Sequence, residues 1–194
     1  PLARLGRADE SGSTETFTRY LAATSPGWKG KASKKVDWNG AVTAAKGTDG
    51  VTEALVRQEG SIGYVSYDRV PKKRLAAVAL KNADGQFALP SERSIQAAVR
   101  GSGLVDNPFA SLLNARGADA WPIAELTYVL IPSDAQRAAA AGPTLQFFAW
   151  ALQKGDAIVR QTGFVALPML VQASAFKTLL SVRGADGKML SVKL

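Results

Sequence analysis

The sequence contains no cysteine and no histidine among its 194 residues. Without cysteine the chain can form neither a disulfide bond nor a thiolate metal site. Without histidine it lacks the usual general base near neutral pH and the commonest metal ligand in proteins. These absences exclude Ser-His, Cys-His and zinc-histidine mechanisms for this chain, so we expect a protein that is not an enzyme and that holds no metal and no cofactor.

Long apolar runs are also missing. No stretch approaches the roughly 20 residues that a helix needs to cross a bilayer. The first ten residues, PLARLGRADE, lack the apolar core of a signal peptide. With 46% hydrophobic and 21% charged residues, the composition is typical of a folded, water-soluble protein.

Basic side chains outnumber acidic ones, with 24 Lys and Arg against 16 Asp and Glu and a net charge of +8. A field of this sign favours anionic partners in general. Non-specific binding of polyanions through this charge is therefore one hypothesis. The basic segments at residues 31–35 and 72–74 accompany no nucleic-acid-binding motif, so we interpret them as solvated loops and expect no nucleic-acid partner.

Helical and strand patterns alternate along the chain, which predicts an α/β fold with a mostly parallel sheet. Apolar spacing predicts helices at residues 14–23, 51–59, 91–100, 143–154 and 168–180, with Pro143 in the first turn of the fourth and Gly60 and Gly155 ending the second and fourth. Strands are expected at residues 2–7, 36–38, 61–67, 75–80 and 124–131. Residues 82–86 are predicted to form a hairpin turn, and residues 44–50 are interpreted as a turn before a capped helix.

The segment RADESGSTETFTRYL, residues 7–21, combines the chemistry needed to hold an anion. A helix N-terminus exposes unpaired backbone N–H groups and a partial positive charge. Gly12 would let an oxyanion approach the backbone, and the hydroxyls of Ser11 and Ser13 could donate to it. Arg7 could donate two parallel hydrogen bonds, and Asp9, two residues further along a strand, could pair with Arg7 and orient it.

The same residues fit a second interpretation. Ser11, Ser13 or Thr14 could simply cap a helix, which is a common use of hydroxyl residues. The pair of Arg7 and Asp9 would then be a surface ion pair of little energetic weight. The residues taken alone leave both interpretations open.

The segment RADESGSTETFTRYL resembles the anion-binding segment of periplasmic phosphate-binding proteins, the receptors of high-affinity phosphate ABC transporters. That family's pattern is Arg-x-Asp-x-Ser-Gly-Thr/Ser followed by xxxFTxYL. Three further stretches resemble the family in the same order, KGTDGVTEALVRQEGSIGYVSY (residues 46–67), RGADAWPIAELTYVLIP (116–132) and LQFFAWALQKGDAIVRQTGFVALP (145–168). The resemblance therefore covers nearly the whole chain.

The resemblance implies a type II periplasmic-binding-protein fold, in which two lobes close on a ligand. Residues 1–120 would form most of the second lobe and residues 121–194 a segment that returns to the first. A change in composition near residues 118–122 agrees with that crossover.

The resemblance also implies a function and roles for single residues. Arg7, Ser11, Gly12 and Ser13 would bind phosphate, and Asp9 would orient Arg7. The chain would be the substrate receptor of an ABC-type phosphate importer, located in the periplasm, with inorganic phosphate and a membrane permease as partners.

The chain departs from this family in length and at two positions. The family's proteins are much longer, and the part that precedes the Arg-x-Asp motif supplies the opposite wall of their site. Ser13 stands where threonine is commoner, and Glu10 would repel an anion unless it points to solvent. A companion chain or self-association could supply the missing wall; a structural or assembly module without phosphate affinity is the alternative hypothesis.

Overall fold

Three parallel strands form the main sheet of the structure, a computed structural model that describes residues 2–38, 40–135 and 138–192. The strands are β1 (Ala3–Arg7), β2 (Thr43–Ala45), β3 (Ser61–Gly63), β4 (Leu80–Lys81), β5 (Phe87–Ala88), β6 (Asp134–Ala135) and β7 (Arg183–Gly184). The helices are α1 (Gly12–Thr24), α2 (Gly47–Arg57), α3 (Arg69–Lys72), α4 (Glu92–Gly101), α5 (Ala138–Lys154), α6 (Asp156–Thr162) and α7 (Met169–Leu180).

Strand β1 is the centre of the main sheet, which has the order β2-β1-β3. Its Leu5 pairs with Thr43 on one side and with Gly63 on the other, and Leu5 is buried. Helix α1 follows β1 and helix α2 follows β2, so both helices begin at the carboxyl edge of the sheet. In open α/β sheets this edge is where ligands bind.

The predicted hairpin at residues 82–86 is confirmed, since β4 and β5 pair antiparallel on either side of it. Asn82 is buried, and its carbonyl oxygen accepts from the amides of Asp84 and Gln86. Its amide nitrogen lies 2.9–3.2 Å from the carbonyl oxygens of Gly117, Ala118 and Ala120. One polar side chain thus fixes the turn and joins it to a loop 35 residues away.

Two clusters of buried hydrophobic residues pack the helices of the second half of the chain together. The first gathers α4, the loop after it and α7, through Ala98, Val99, Leu104, Leu112, Ala115, Ala120, Ala124 and Val171. The second joins α5 to the end of α7 through Leu145, Ala149, Leu179 and Val182. The division of the chain into lobes at residues 1–120 and 121–194 stays a prediction.

The strand predicted at residues 36–38 is wrong. Trp38 lies in irregular structure, and the neighbour of β1 is β2 at Thr43–Ala45. The turn predicted at residues 44–50 is wrong as well, because Ala44 and Ala45 belong to β2 and α2 already begins at Gly47. The prediction placed the strand too early because Val36 and Trp38 carry the stronger apolar signal.

The strand predicted at residues 124–131 is also wrong. That segment has no regular secondary structure and no strand partner among the described residues, and Leu130 is 88% exposed. Within it Ala124 alone is buried in a hydrophobic cluster, while Leu126 and Ile131 are partly buried and pack against the two clusters. An apolar β-branched run forms a strand only where another strand offers hydrogen bonds, and none of the described residues does so here.

Three further boundaries differ from the predictions. Strand β3 ends at Gly63 instead of residue 67, and the strand expected at residues 75–80 is reduced to β4. Pro143 lies inside α5, five residues after its start, instead of in its first turn. In α7 the predicted start at Pro168 is confirmed, but Leu170 is 70% exposed instead of facing inward.

Candidate functional site

The last residue of β1, Arg7, is clamped by Asp9. Arg7 Nε donates to Asp9 Oδ1 at 2.8 Å, and Arg7 Nη2 donates to Asp9 Oδ2 at 2.5 Å. Asp9 Oδ1 also accepts from the backbone N–H of Gly47 at 2.8 Å, which ties the clamp to the start of α2. The side chain of Arg7 is only 12% exposed, so this is a held pair and not a loose surface contact.

The two charges of this pair stabilise each other. The hydrogen bond from Arg7 holds the pKa of the Asp9 carboxyl well below its usual range, and the Gly47 N–H lowers it further. The same hydrogen bond raises the pKa of the Arg7 guanidinium, against the opposing effect of burial. Asp9 therefore stays ionised at every pH at which the protein is expected to work.

The guanidinium of Arg7 keeps part of its donor capacity. A guanidinium carries five N–H groups in a fixed fork. Two of them face Asp9, and Nη1 donates a third to Thr48 Oγ1 at 3.3 Å. Among residues 2–38, 40–135 and 138–192, one N–H on Nη1 and one on Nη2 find no acceptor, and two guanidinium donors can bind an oxyanion bidentately.

Helix α1 begins five residues after β1 ends, with Ser11 as its N-cap. The Ser11 side chain makes no capping hydrogen bond, while its backbone N–H donates to Lys34 O at 2.9 Å. The first amide that bonds back along the helix is that of Glu15, which donates to Ser11 O. Within the part of the chain that the structure describes, the amides of Gly12, Ser13 and Thr14 have no acceptor.

Gly12 leaves open space at the start of α1. A Cβ built on Gly12 would meet no atom within 4 Å, and the residue is exposed. Glu10 is exposed as well, as an acidic residue beside an anion site would have to be. Neither residue therefore obstructs the first turn of the helix.

A cavity of about 670 Å³ opens beside Arg7. Lys35, Asp37 and Trp38 line it together with Arg7, so its wall carries charges of both signs and an aromatic ring. Ser11, Gly12 and Ser13 are not among its lining residues. The structure thus joins Arg7 and Asp9 in one clamp, and it places the three small residues on the adjacent helix start without a direct hydrogen bond to either.

Four residues at the site were not predicted from the sequence. Gly47 and Thr48 begin α2 and hold Asp9 and Arg7, respectively. The hydroxyl of Tyr64 accepts from the Arg7 backbone N–H at 3.3 Å, and Trp38 Nε1 donates to Arg7 O at 3.3 Å. The glycine-rich signal before α2 pointed to Gly47 and Thr48 as a turn, while Tyr64 lies 57 residues from Arg7 and gave no local signal.

Metal and membrane features are absent from the described ranges 2–38, 40–135 and 138–192. Those residues contain no group of three or more acidic side chains placed to hold a metal ion. None of their helices has the length and hydropathy that a membrane crossing requires.

Comparisons with curated proteins agree with the resemblance found in the sequence. A phosphate-binding protein PstS of Xylella fastidiosa is 35% identical over 166 residues, which are 84% of this chain and 45% of that protein. One of Pasteurella multocida is 30% identical over 195 residues, covering 95% of this chain and 55% of that protein. The chain therefore spans about half the length of the curated relatives it matches.

Solved structures show the same fold. A human phosphate-binding apolipoprotein superposes with a TM-score of 0.66 at 23% identity, over 90% of this chain and 58% of that one. A high-affinity periplasmic phosphate-binding protein, PfluDING, gives 0.66 at 20% identity, over 95% of this chain and 63% of that one. The predicted α/β, binding-protein-like fold is thus confirmed.

The model of the PBP superfamily domain matches residues 2–154, a range that contains the whole Arg7 clamp and most of the chain. The chain belongs to the PBP superfamily.

Proposed function

We propose that this chain supplies one wall of a phosphate site in a substrate receptor of an ABC-type importer. The observation that carries the proposal is the clamped guanidinium of Arg7, which keeps two N–H donors at the carboxyl edge of the sheet. The names of the curated relatives support phosphate as the anion.

The electrostatics at the carboxyl edge of the main sheet favour the binding of a small oxyanion. Two helices, α1 and α2, begin within a few residues of the clamp, and helix N-termini attract negative charge. Gly12 removes side-chain bulk at the start of α1, and the uncapped hydroxyl of Ser11 is left as a donor. Lys35 adds a positive charge to the cavity wall beside Arg7.

We propose that the ligand is captured as two lobes close, that the receptor works in the periplasm, and that it delivers phosphate to a membrane permease. A further segment or companion chain would complete the opposite wall. Proteins that bind and release a ligand in this way need no catalytic group, which agrees with the lack of histidine and cysteine.

Calorimetric titration with inorganic phosphate tests the proposal, using the protein in its full natural length. Arg7→Ala removes both free donors and leaves Asp9 unpaired, so we expect affinity to fall at least about a hundredfold. Arg57→Ala is the matched control, because Arg57 is a largely exposed arginine that pairs with Glu53 on the surface of α2. Equal affinity in Arg7→Ala and the wild type would refute the assignment.

A further inference from the structure

We infer that Tyr64 and Trp38 are positioning residues that fix the backbone of Arg7 and so aim its guanidinium. This inference rests on the proposed phosphate site, and it goes further by assigning the groups that hold the site's central residue. Its basis is the way in which the main sheet ends around Arg7.

Arg7 lies where the ladder between β1 and β3 has already stopped. Backbone groups of successive strand residues point to opposite neighbours. The N–H of Ala8 bonds to Ala45 O on the β2 side, so the N–H and C=O of Arg7 face the β3 side. Strand β3 ends at Gly63, opposite Leu5, and offers Arg7 no backbone partner.

Two aromatic side chains take the place of that partner. The Tyr64 hydroxyl accepts from the Arg7 N–H, and the Trp38 indole N–H donates to the Arg7 carbonyl, both at 3.3 Å. Each backbone polar group of Arg7 is therefore satisfied by a side chain and not by the sheet. Buried backbone groups need such partners, so these contacts decide where the strand end rests.

Tyr64 also links Arg7 to the start of α1. Its hydroxyl lies 2.8 Å from Thr14 Oγ1, and Thr14 is completely buried in the first turn of the helix. The Tyr64 ring stacks on Phe17, one turn further along, with centroids 4.7 Å apart. One side chain thus connects the backbone of Arg7 to the first turn of α1.

Trp38 reaches Arg7 because Gly6 has no side chain. A Cβ on Gly6 would lie 3.3 Å from the Trp38 ring and 3.0 Å from Val42 Cγ1. The ring also neighbours Tyr64, with centroids 6.5 Å apart, so the two positioning residues support each other. Trp38 and Arg7 line the same cavity.

The test compares Tyr64→Phe with Tyr20→Phe in the full-length protein. Both substitutions remove one tyrosine hydroxyl that is hydrogen-bonded to the backbone, because the Tyr20 hydroxyl donates to Lys81 O at 3.0 Å at the far end of α1. We expect Tyr64→Phe to weaken phosphate binding about five- to tenfold, the worth of one hydrogen bond. Tyr20→Phe should lower the melting temperature about as much as Tyr64→Phe does, but it should leave the phosphate affinity within about twofold of wild type.

A double-mutant cycle shows whether Tyr64 acts through Arg7. In an Arg7→Lys background, which keeps the charge but loses the fork, the effect of Tyr64→Phe should shrink to less than about twofold. An equal effect in both backgrounds would overturn the inference, as would an unchanged affinity in Tyr64→Phe alone. Trp38→Phe should behave like Tyr64→Phe, whereas Trp28→Phe should not, because the Trp28 indole N–H has no partner among the described residues.

Hydrogen exchange of the Arg7 amide separates this inference from the proposed function. Tyr64→Phe should speed that exchange about tenfold relative to wild type, and Tyr20→Phe should not change it. If the wild type binds no phosphate, the proposed function fails, and the exchange rate alone decides the inference. Unchanged exchange of the Arg7 amide in Tyr64→Phe would refute it.

Discussion

Arg7 has its guanidinium bonded to Asp9 and Thr48 and its backbone bonded to Tyr64 and Trp38. Holding a long cationic side chain in one geometry costs rotamer entropy, which is why exposed ion pairs contribute little. Here contacts within the protein itself compensate that cost. A receptor whose arginine is already fixed loses less entropy when the anion arrives, and it binds more tightly for that reason.

Asp9→Asn tests the electrostatic part of this arrangement. Arg7 lowers the pKa of Asp9, so the carboxylate stabilises the folded state above about pH 4, the ordinary pKa of an unfolded aspartate. That stabilisation is lost only as the pH falls from there through the lowered folded pKa. We expect the melting temperature of wild type minus that of Asp9→Asn to be constant from pH 7 to about pH 5 and to shrink below about pH 4.

The same substitution should weaken phosphate binding roughly tenfold, because an amide group turns a donor toward Arg7 and frees the guanidinium to rotate. Asp119→Asn is the control, since Asp119 pairs with Arg93 in a largely exposed ion pair. A difference in melting temperature that grows on acidification from pH 7 to pH 5 would contradict the lowered pKa of Asp9.

The starts of α1 and α4 show two uses of serine at a helix N-terminus. Ser91 caps α4 in a reciprocal arrangement, in which its hydroxyl accepts from Ser94 N–H and Ser94 Oγ accepts from Ser91 N–H. Ser11 occupies the same position on α1, yet its hydroxyl caps nothing. The lack of a capping hydrogen bond from the Ser11 side chain therefore favours the anion-binding interpretation of this segment over the helix-cap interpretation.

Paired alanine substitutions distinguish these uses. Ser91→Ala should destabilise the protein by about 1 kcal/mol, the usual cost of losing an N-cap, and leave phosphate affinity unchanged. Ser11→Ala should change stability by less than half of that and weaken phosphate binding several-fold. Thermal unfolding measures the stability of both variants, and calorimetry measures their phosphate affinity. A stability loss in Ser11→Ala equal to that in Ser91→Ala would identify Ser11 as an ordinary N-cap.

Local sequence signals predicted the elements that depend on local chemistry. The turn at residues 82–86 and helix α4 carry their own turn and capping residues, and both are found where expected. The pairing of Arg7 with Asp9, two positions further along, was predicted correctly, although Asp9 lies in the bend after β1 and not on the strand. Local chemistry could not place β2, whose pairing with β1 depends on partners some 38 residues apart.

Features that depend on distant partners were missed for the same reason. Tyr64 and Trp38 reach Arg7 only through the fold. The run at residues 124–131 has strand composition, but composition supplies no hydrogen-bonding neighbour. Whether Ser11, Gly12 and Ser13 bind phosphate stays a prediction.

At the scale of the whole molecule, large apolar side chains lie exposed in the second part of the chain. Four of them are each more than half exposed: Leu130 in the segment at residues 124–131, Phe147 on α5, and Met169 and Leu170 on α7. Exposed apolar side chains are available for contact with other protein. It agrees with our proposal that a further segment or companion chain completes the opposite wall of the site.

A crystal structure of the full-length protein with bound phosphate tests the central claim most directly. The account predicts phosphate oxygens about 2.8 Å from Nη1 and Nη2 of Arg7 and within hydrogen-bonding distance of the amides at the start of α1, with Asp9 still paired to Arg7. Phosphate bound at another place, with the free N–H groups of Arg7 turned to solvent, would contradict it.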